Sequence, residues 1–185
     1  MSAAKRVGFG PRLVAFIIDS FIIGLLASIL MSYLMENTFQ AVMKGDFLNA
    51  LMEAYASGSS GADSESFKQM LKVTSFITHL SMLYMLIEAF NGATPGKMML
   101  GLKIGSEEGN PADTWLYFYR YAVKNSSSLL ALLASTTGVA IFHTLGGLLG
   151  MVIIFGCFLV LGPRRQAIHD MVAKTAVYYK HDLKG

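Results

Sequence analysis

Two residues of opposite charge, Arg12 and Asp19, open the apolar run "GPRLVAFIIDSFIIGLL" between Gly10 and Leu26. An aspartate near the centre of a bilayer costs roughly 2.5–3.5 kcal/mol on insertion scales, so it requires a partner or a purpose. Residues seven apart on a helix differ by about 20° around the axis, so Arg12 and Asp19 share a face. They lie about 10 Å apart along it, too far for a direct bond between rigid side chains. A long arginine and one water can close that gap. Two chemistries follow. A carboxylic acid in apolar surroundings can bind and release a proton near neutral pH, or hold a cation. Alternatively, Arg12 snorkels to the interface and Asp19 ties two helices together.

A second apolar run carries a polar stripe. Thr74, Ser81, Tyr84 and Glu88 fall within about 80° of one another on a helical wheel. Glu88 stands level with Arg12 when the two runs are antiparallel. Either Arg12 pairs with Glu88 and leaves Asp19 to titrate, or the reverse holds; the sequence leaves both open. His79 points to the opposite face and His143 lies near an expected hairpin tip, and both read as polar contacts between helices. The four histidines show no zinc-helix spacing. Cys157 is the only cysteine, which excludes an internal disulfide and a cysteine-based metal site. No nucleophile–base pair stands out, so neither an enzyme nor a cofactor is expected.

The elements that position these residues belong to a membrane protein. The 185 residues are 54% hydrophobic and only 15% charged, against about 25% in ordinary soluble domains. Mean hydropathy is +0.50 and the apolar residues fall in blocks. The net charge of +3 is small, and its basic residues form no face interleaved with aromatics, so nucleic acid is an unsuitable partner. Leu13–Met35 is longer than a signal-peptide core, is followed by no small-residue cleavage site, and suffices to cross about 30 Å of hydrocarbon. Residues 36–70 read as a polar loop with interrupted amphipathic helix and a flexible tip, "GSSGADSES". A second span is expected over about 71–90. In 91–125, "NGATPGK" is a turn cluster, "MLGLKIGSEEGNPADTW" a strand and return, and "WLYFYRYAVKN" an interfacial helix with Arg120 and Lys124.

Ser126–Leu161 is too long for one span and just long enough for two short ones, over about 126–144 and 146–162. Gly146, Gly147 and Gly150 are candidates for the break, or for a packing face. Beyond it, 164–172 suit a short interfacial helix with Ile168, Met171 and Val172 apolar and Arg164, Arg165 and Asp170 polar. "KTAVYYK" reads as a strand able to pair with "LGLKIG".

Charge sets the count of crossings. Lys5, Arg6 and Arg12 precede the first span without an acid, and the 91–125 loop and the 163–185 tail are rich in Lys and Arg. The 36–70 loop instead has five acids and two bases. The positive-inside rule places both termini and the second loop in the cytoplasm. The expected fold is an all-α, four-span bundle with a small cytoplasmic strand and interfacial-helix element, in one domain over 1–185. A re-entrant 126–162 block is the alternative.

Three ordered patterns carry a resemblance: R-x6-D in the first span, T-P-G-K-x-x-x-G-L-K after the second, and R-x-x-x-x-H-D-x-x-A-x-T near the end. Together they resemble the RDD family of prokaryotic membrane proteins, named for one arginine and two aspartates. These map onto Arg12, Asp19 and Asp170, and the resemblance covers nearly all the chain except 36–70. It implies an integral protein of the cell (inner) membrane, associated with transport and in some members with cation/proton antiport. It also makes Asp170 a candidate partner of Arg12, which leaves Asp19 as the buried, titratable acid. The expected activity is therefore transport of a small cation or solute in exchange for protons, with Asp19 and Glu88 as ion-site candidates. So thin a bundle calls for a homodimer or larger assembly. The competing expectation is a membrane accessory or scaffold protein in which Arg12, Asp19 and Asp170 form a structural clamp.

Overall fold

Backbone groups in lipid must be satisfied within their own segment, which makes long apolar runs helical. The computed structural model describes residues 5–37, 40, 52 and 65–183; most of the expected 36–70 loop, its flexible tip included, lies outside them. Helix α1 spans Phe9–Leu34 and α2 spans Glu65–Asn91. After the short α3 (Pro95–Met99) come strand β1 (Leu102–Ser106), α4 (Thr114–Lys124) and α5 (Ser126–Thr137). Helix α6 (Ala140–Cys157) runs on through a tighter turn at Phe158–Leu161. Helix α7 (Ile168–Val172), β2 (Thr175–Tyr179) and a single tight turn at Lys180–Asp182 follow.

Three helical stretches among the described residues are long and apolar enough to cross a membrane: Phe9–Leu34, Leu71–Asn91 and Ala140–Leu161. A fourth, expected over 126–144, is shorter than that. Helix α5 has 12 residues, about 18 Å at 1.5 Å per residue, against about 30 Å of hydrocarbon. The expected break near Gly146 also moves. The chain turns at Gly138, whose φ of 71° is left-handed and suits glycine as a helix terminator. Gly146 and Gly150 instead sit where α6 meets α5: a Cβ at Gly146 would lie 3.0 Å from the Ser127 carbonyl oxygen, and one at Gly150 2.9 Å from its hydroxyl. The glycines thus serve close packing of a helical hairpin.

The chain divides into two compact units, Met1–Ser20 with Met82–Gly185, and Phe21–Ser81. In the second, Ile23, Ala27 and Met31 form a buried stripe on α1, and Val73 is buried on α2. The first unit has its own small core of Val7, Ala15, Leu102, Ile104, Tyr117 and Val177. There β1 and β2 pair antiparallel, Leu102 opposite Tyr179 and Ser106 opposite Thr175, joining the two segments expected to pair. The N-terminal segment adds to this sheet through the Val7 amide, which donates to the Val177 carbonyl at 2.8 Å. Chain start, middle loop and tail are therefore knitted together.

Candidate functional site

Every group of the candidate site lies in the first unit. Helix α1 buries Ala15 and Asp19 on one face. Opposite them, Thr94 caps α3 with Pro95 at its first position, where the missing N–H is no loss. The Asp19 carboxylate accepts from the Thr94 hydroxyl at 2.6 Å, the Tyr84 hydroxyl at 2.7 Å and the Gly96 amide at 2.8 Å. Gly96 is required by this approach: a Cβ there would collide with the Ala15 carbonyl and reach 2.8 Å from the Asp19 carboxylate. Asp19 is 3% exposed, and among the described residues no basic side chain forms an ion pair with it.

The other two acids buried among the described residues, Glu88 and Asp170, are compensated by bases. Asp170 meets Arg12 Nη1 at 2.6 Å, and Arg120 Nε and Nη2 at 2.7 Å each. Glu88 takes Arg120 on one oxygen and, on the other, Lys97 at 2.7 Å and Lys124 at 3.4 Å. Arg120 thus bridges α2 and the tail, and is itself only 2% exposed. The segment Thr94–Lys97 bridges too, with Thr94 and Gly96 on Asp19 and Lys97 on Glu88.

Arg12 therefore joins neither Asp19 nor Glu88 but Asp170, with a further bond from Nη2 to the Arg165 carbonyl at 2.9 Å. Tyr84 and Glu88 from the expected polar stripe reach the site, whereas Thr74 is exposed and takes no part in it. His79 is bonded within its own helix to the Ser75 carbonyl, and His143 is exposed. In the tail helix the acid is buried more deeply than the apolar residues around it. Asp170 is fully buried and Val172 half exposed, because the carboxylate offsets two guanidiniums and accepts from the Ala167 amide at 3.3 Å.

Arg120 and Lys124, expected as interfacial anchors, are instead drawn inward. Their signal in the sequence is positional. Tyr117, Arg120, Tyr121 and Lys124 fall on one face of α4, while Trp115 is 74% exposed.

His169 completes the cluster. Its Nε2 accepts from Arg120 Nη2 at 3.2 Å, which places the ring proton on Nδ1. Burial, then the charge of Arg120, hold this imidazole well below its ordinary pKa of 6.5. Burial alone would raise the Asp170 carboxyl, but Arg120 and Arg12 overcome it and keep the group well below the usual carboxylate range. The imidazole sets a pH dependence. An unfolded chain takes up a proton near pH 6.5 that the native imidazole refuses, so stability is complete above about pH 7 and falls on acidification. Thermal unfolding in detergent should show a loss of up to about 1.4 kcal/mol per pH unit below 6.5. His169→Gln, whose amide oxygen can still accept from Arg120, should flatten that slope; an unchanged slope would assign it to another group.

A buried charge cluster at the end of membrane-length apolar helices defines an integral membrane protein. The sequence matches the profile of the RDD family over residues 6–174. The chain belongs to the RDD family, a family of membrane proteins. No curated protein and no solved structure gives a significant match.

Proposed function

We propose that the chain is a small multi-pass transporter that exchanges a cation or small solute for protons, with Asp19 as the exchanging group. One observation carries this reading: of the three buried acids among the described residues, Asp19 alone is balanced without an ion pair. Glu88 and Asp170 are held by fixed charges, whereas hydroxyls can rotate to offer lone pairs to a cation beside the carboxylate. The clamp and the exchanging acid are then different residues. Both termini face the cytoplasm of the inner membrane, a placement supported by the basic excess of the segments joined in the sheet. The 126–162 hairpin adds one full-length crossing at Ala140–Leu161 and one short one at Ser126–Thr137 to make four spans, and a homodimer or larger assembly completes the path.

Asp19→Asn tests this in proteoliposomes with a panel of cations. The Asn oxygen can keep the bonds from Tyr84 and Gly96, and its amide can donate to Thr94, so the fold should survive. Loss of pH-dependent flux by roughly tenfold or more, with normal insertion, is the expected result.

A scaffold reading has its own support. Three donors from two other segments hold Asp19, as suits a static tie between helices. Full flux from a well-folded Asp19→Asn protein, or no flux from the unaltered chain, would favour it.

A further inference from the structure

A cavity of about 430 Å³ opens beside the first turn of α1, apart from the buried acids. Lys5, Arg6, Arg165 and His181 line it together with Gly8, Pro11 and Tyr179. Asp182 is its one acid, and that carboxylate lies 3.4 Å from His181 Nε2. The cavity thus presents a surplus of positive charge.

Its place in the chain fixes what it meets. Pro11 lies in the first turn of the first apolar helix, which starts at Phe9, and Arg165 follows shortly after Leu161, where the third ends. Apolar helices of membrane-spanning length end at the level of the lipid headgroups. We propose that this cavity binds the phosphate of an anionic phospholipid headgroup, with Lys5 and Arg165 as its charged contacts. The chemistry recognised is a phosphate whose negative charge is not offset by a cation in its own headgroup, and a soluble phosphate-bearing ligand would present the same group.

The cations differ in how free they are. Arg6 is a fixed wall: its guanidinium donates to the Gln166 side chain at 2.8 Å and to the Glu107 carbonyl at 2.9 Å. Lys5 is exposed and has no acidic partner among the described residues. Arg165 spends one guanidinium nitrogen on the Arg6 carbonyl at 3.2 Å, and its other guanidinium nitrogens have no partner among the described residues. Arg165 also holds a left-handed backbone, φ 51°, where glycine or asparagine would be less strained. A strained arginine at a charged cavity points to a side chain wanted for what it binds. Guanidinium and ammonium groups together suit phosphate, one as a fork and the other as a point charge.

The test uses the full chain purified in a neutral detergent. Dihexanoyl phosphatidylglycerol, dihexanoyl phosphatidylcholine and inorganic phosphate are titrated separately, and thermal unfolding and native mass spectra are recorded. The glycerol lipid should raise the unfolding temperature and leave one-to-one adducts, and the choline lipid should do neither. Arg165→Gly relieves the backbone while removing the guanidinium, so Lys5→Gln with Arg165→Gly should fold yet bind about tenfold more weakly. Should the double variant fail to fold, Lys5→Gln alone, at an exposed residue without a partner, carries the test. Stabilisation by inorganic phosphate as strong as by the lipid would uphold the phosphate site and make its source soluble. Equal binding of both lipids, or undiminished binding by the variants, would overturn the proposal.

Discussion

Arg120→Met is expected to cost about 3–5 kcal/mol and to leave little folded protein in the membrane, the usual result of removing one partner from buried ion pairs. The side chain offsets Glu88 from α2 and Asp170 from the tail at once. Methionine matches its length and apolar stem, so the loss isolates the charge and the fork. Both acids would remain buried, Glu88 with lysines alone and Asp170 with Arg12 alone. Arg120→Lys should recover little, because a point charge cannot place separate nitrogens on two carboxylates and on His169 Nε2. Fluorescence-detected size exclusion gives the folded yield, and thermal unfolding ranks the variants. A lysine variant as stable as the native chain would show that charge suffices and that the fork is incidental.

Arg120 also marks where sequence reasoning stopped short. The membrane helices were legible because hydropathy over twenty residues reports the solvent directly. The pairing of 102–106 with 175–179 was legible from two short β-rich runs of equal length. Helix α5 was misjudged in length because composition is blind to a turn inside an apolar block. The left-handed position at Gly138 ends the helix, whereas Gly146, Gly147 and Gly150 were the candidates that composition offered for that role. Polarity misled at the tail. An Asp in a basic segment reads as solvated, yet Asp170 is fully buried because two arginines and a backbone amide converge on it. Arg12 and Asp170 are 158 positions apart, so no local pattern joins them and only the family resemblance suggested the pair. Lys97 and Thr94 read only as part of a turn and of the family pattern, because "TPGK" has the composition of any turn. Its role follows from aiming a cap hydroxyl and a backbone amide at one acid, and an ammonium at another.

The arginine and aspartate at the two ends of the chain should prove energetically coupled, and a double-mutant cycle measures it. Asp170→Asn alone leaves Arg12 and Arg120 facing an amide, and should cost about 3–5 kcal/mol. Arg12→Ala alone should cost less, since Asp170 keeps Arg120, although bonds to the Val7 and Arg165 carbonyls are lost as well. Together the two changes should cost less than the sum of the singles by about 1–3 kcal/mol, because each removes the charge that the other's absence strands. Arg12→Ala combined with Tyr84→Phe provides the control. Tyr84 donates to Asp19, which Arg12 does not touch, so those effects should add to within about 0.5 kcal/mol. Additivity in the Arg12–Asp170 cycle would mean that the tail is held by the sheet and by Arg120, with the 2.6 Å contact contributing nothing of its own. Coupling of the expected size would make the arginine of the first span the fastening between the membrane helices and the tail, and would free Asp19 from any share in that work.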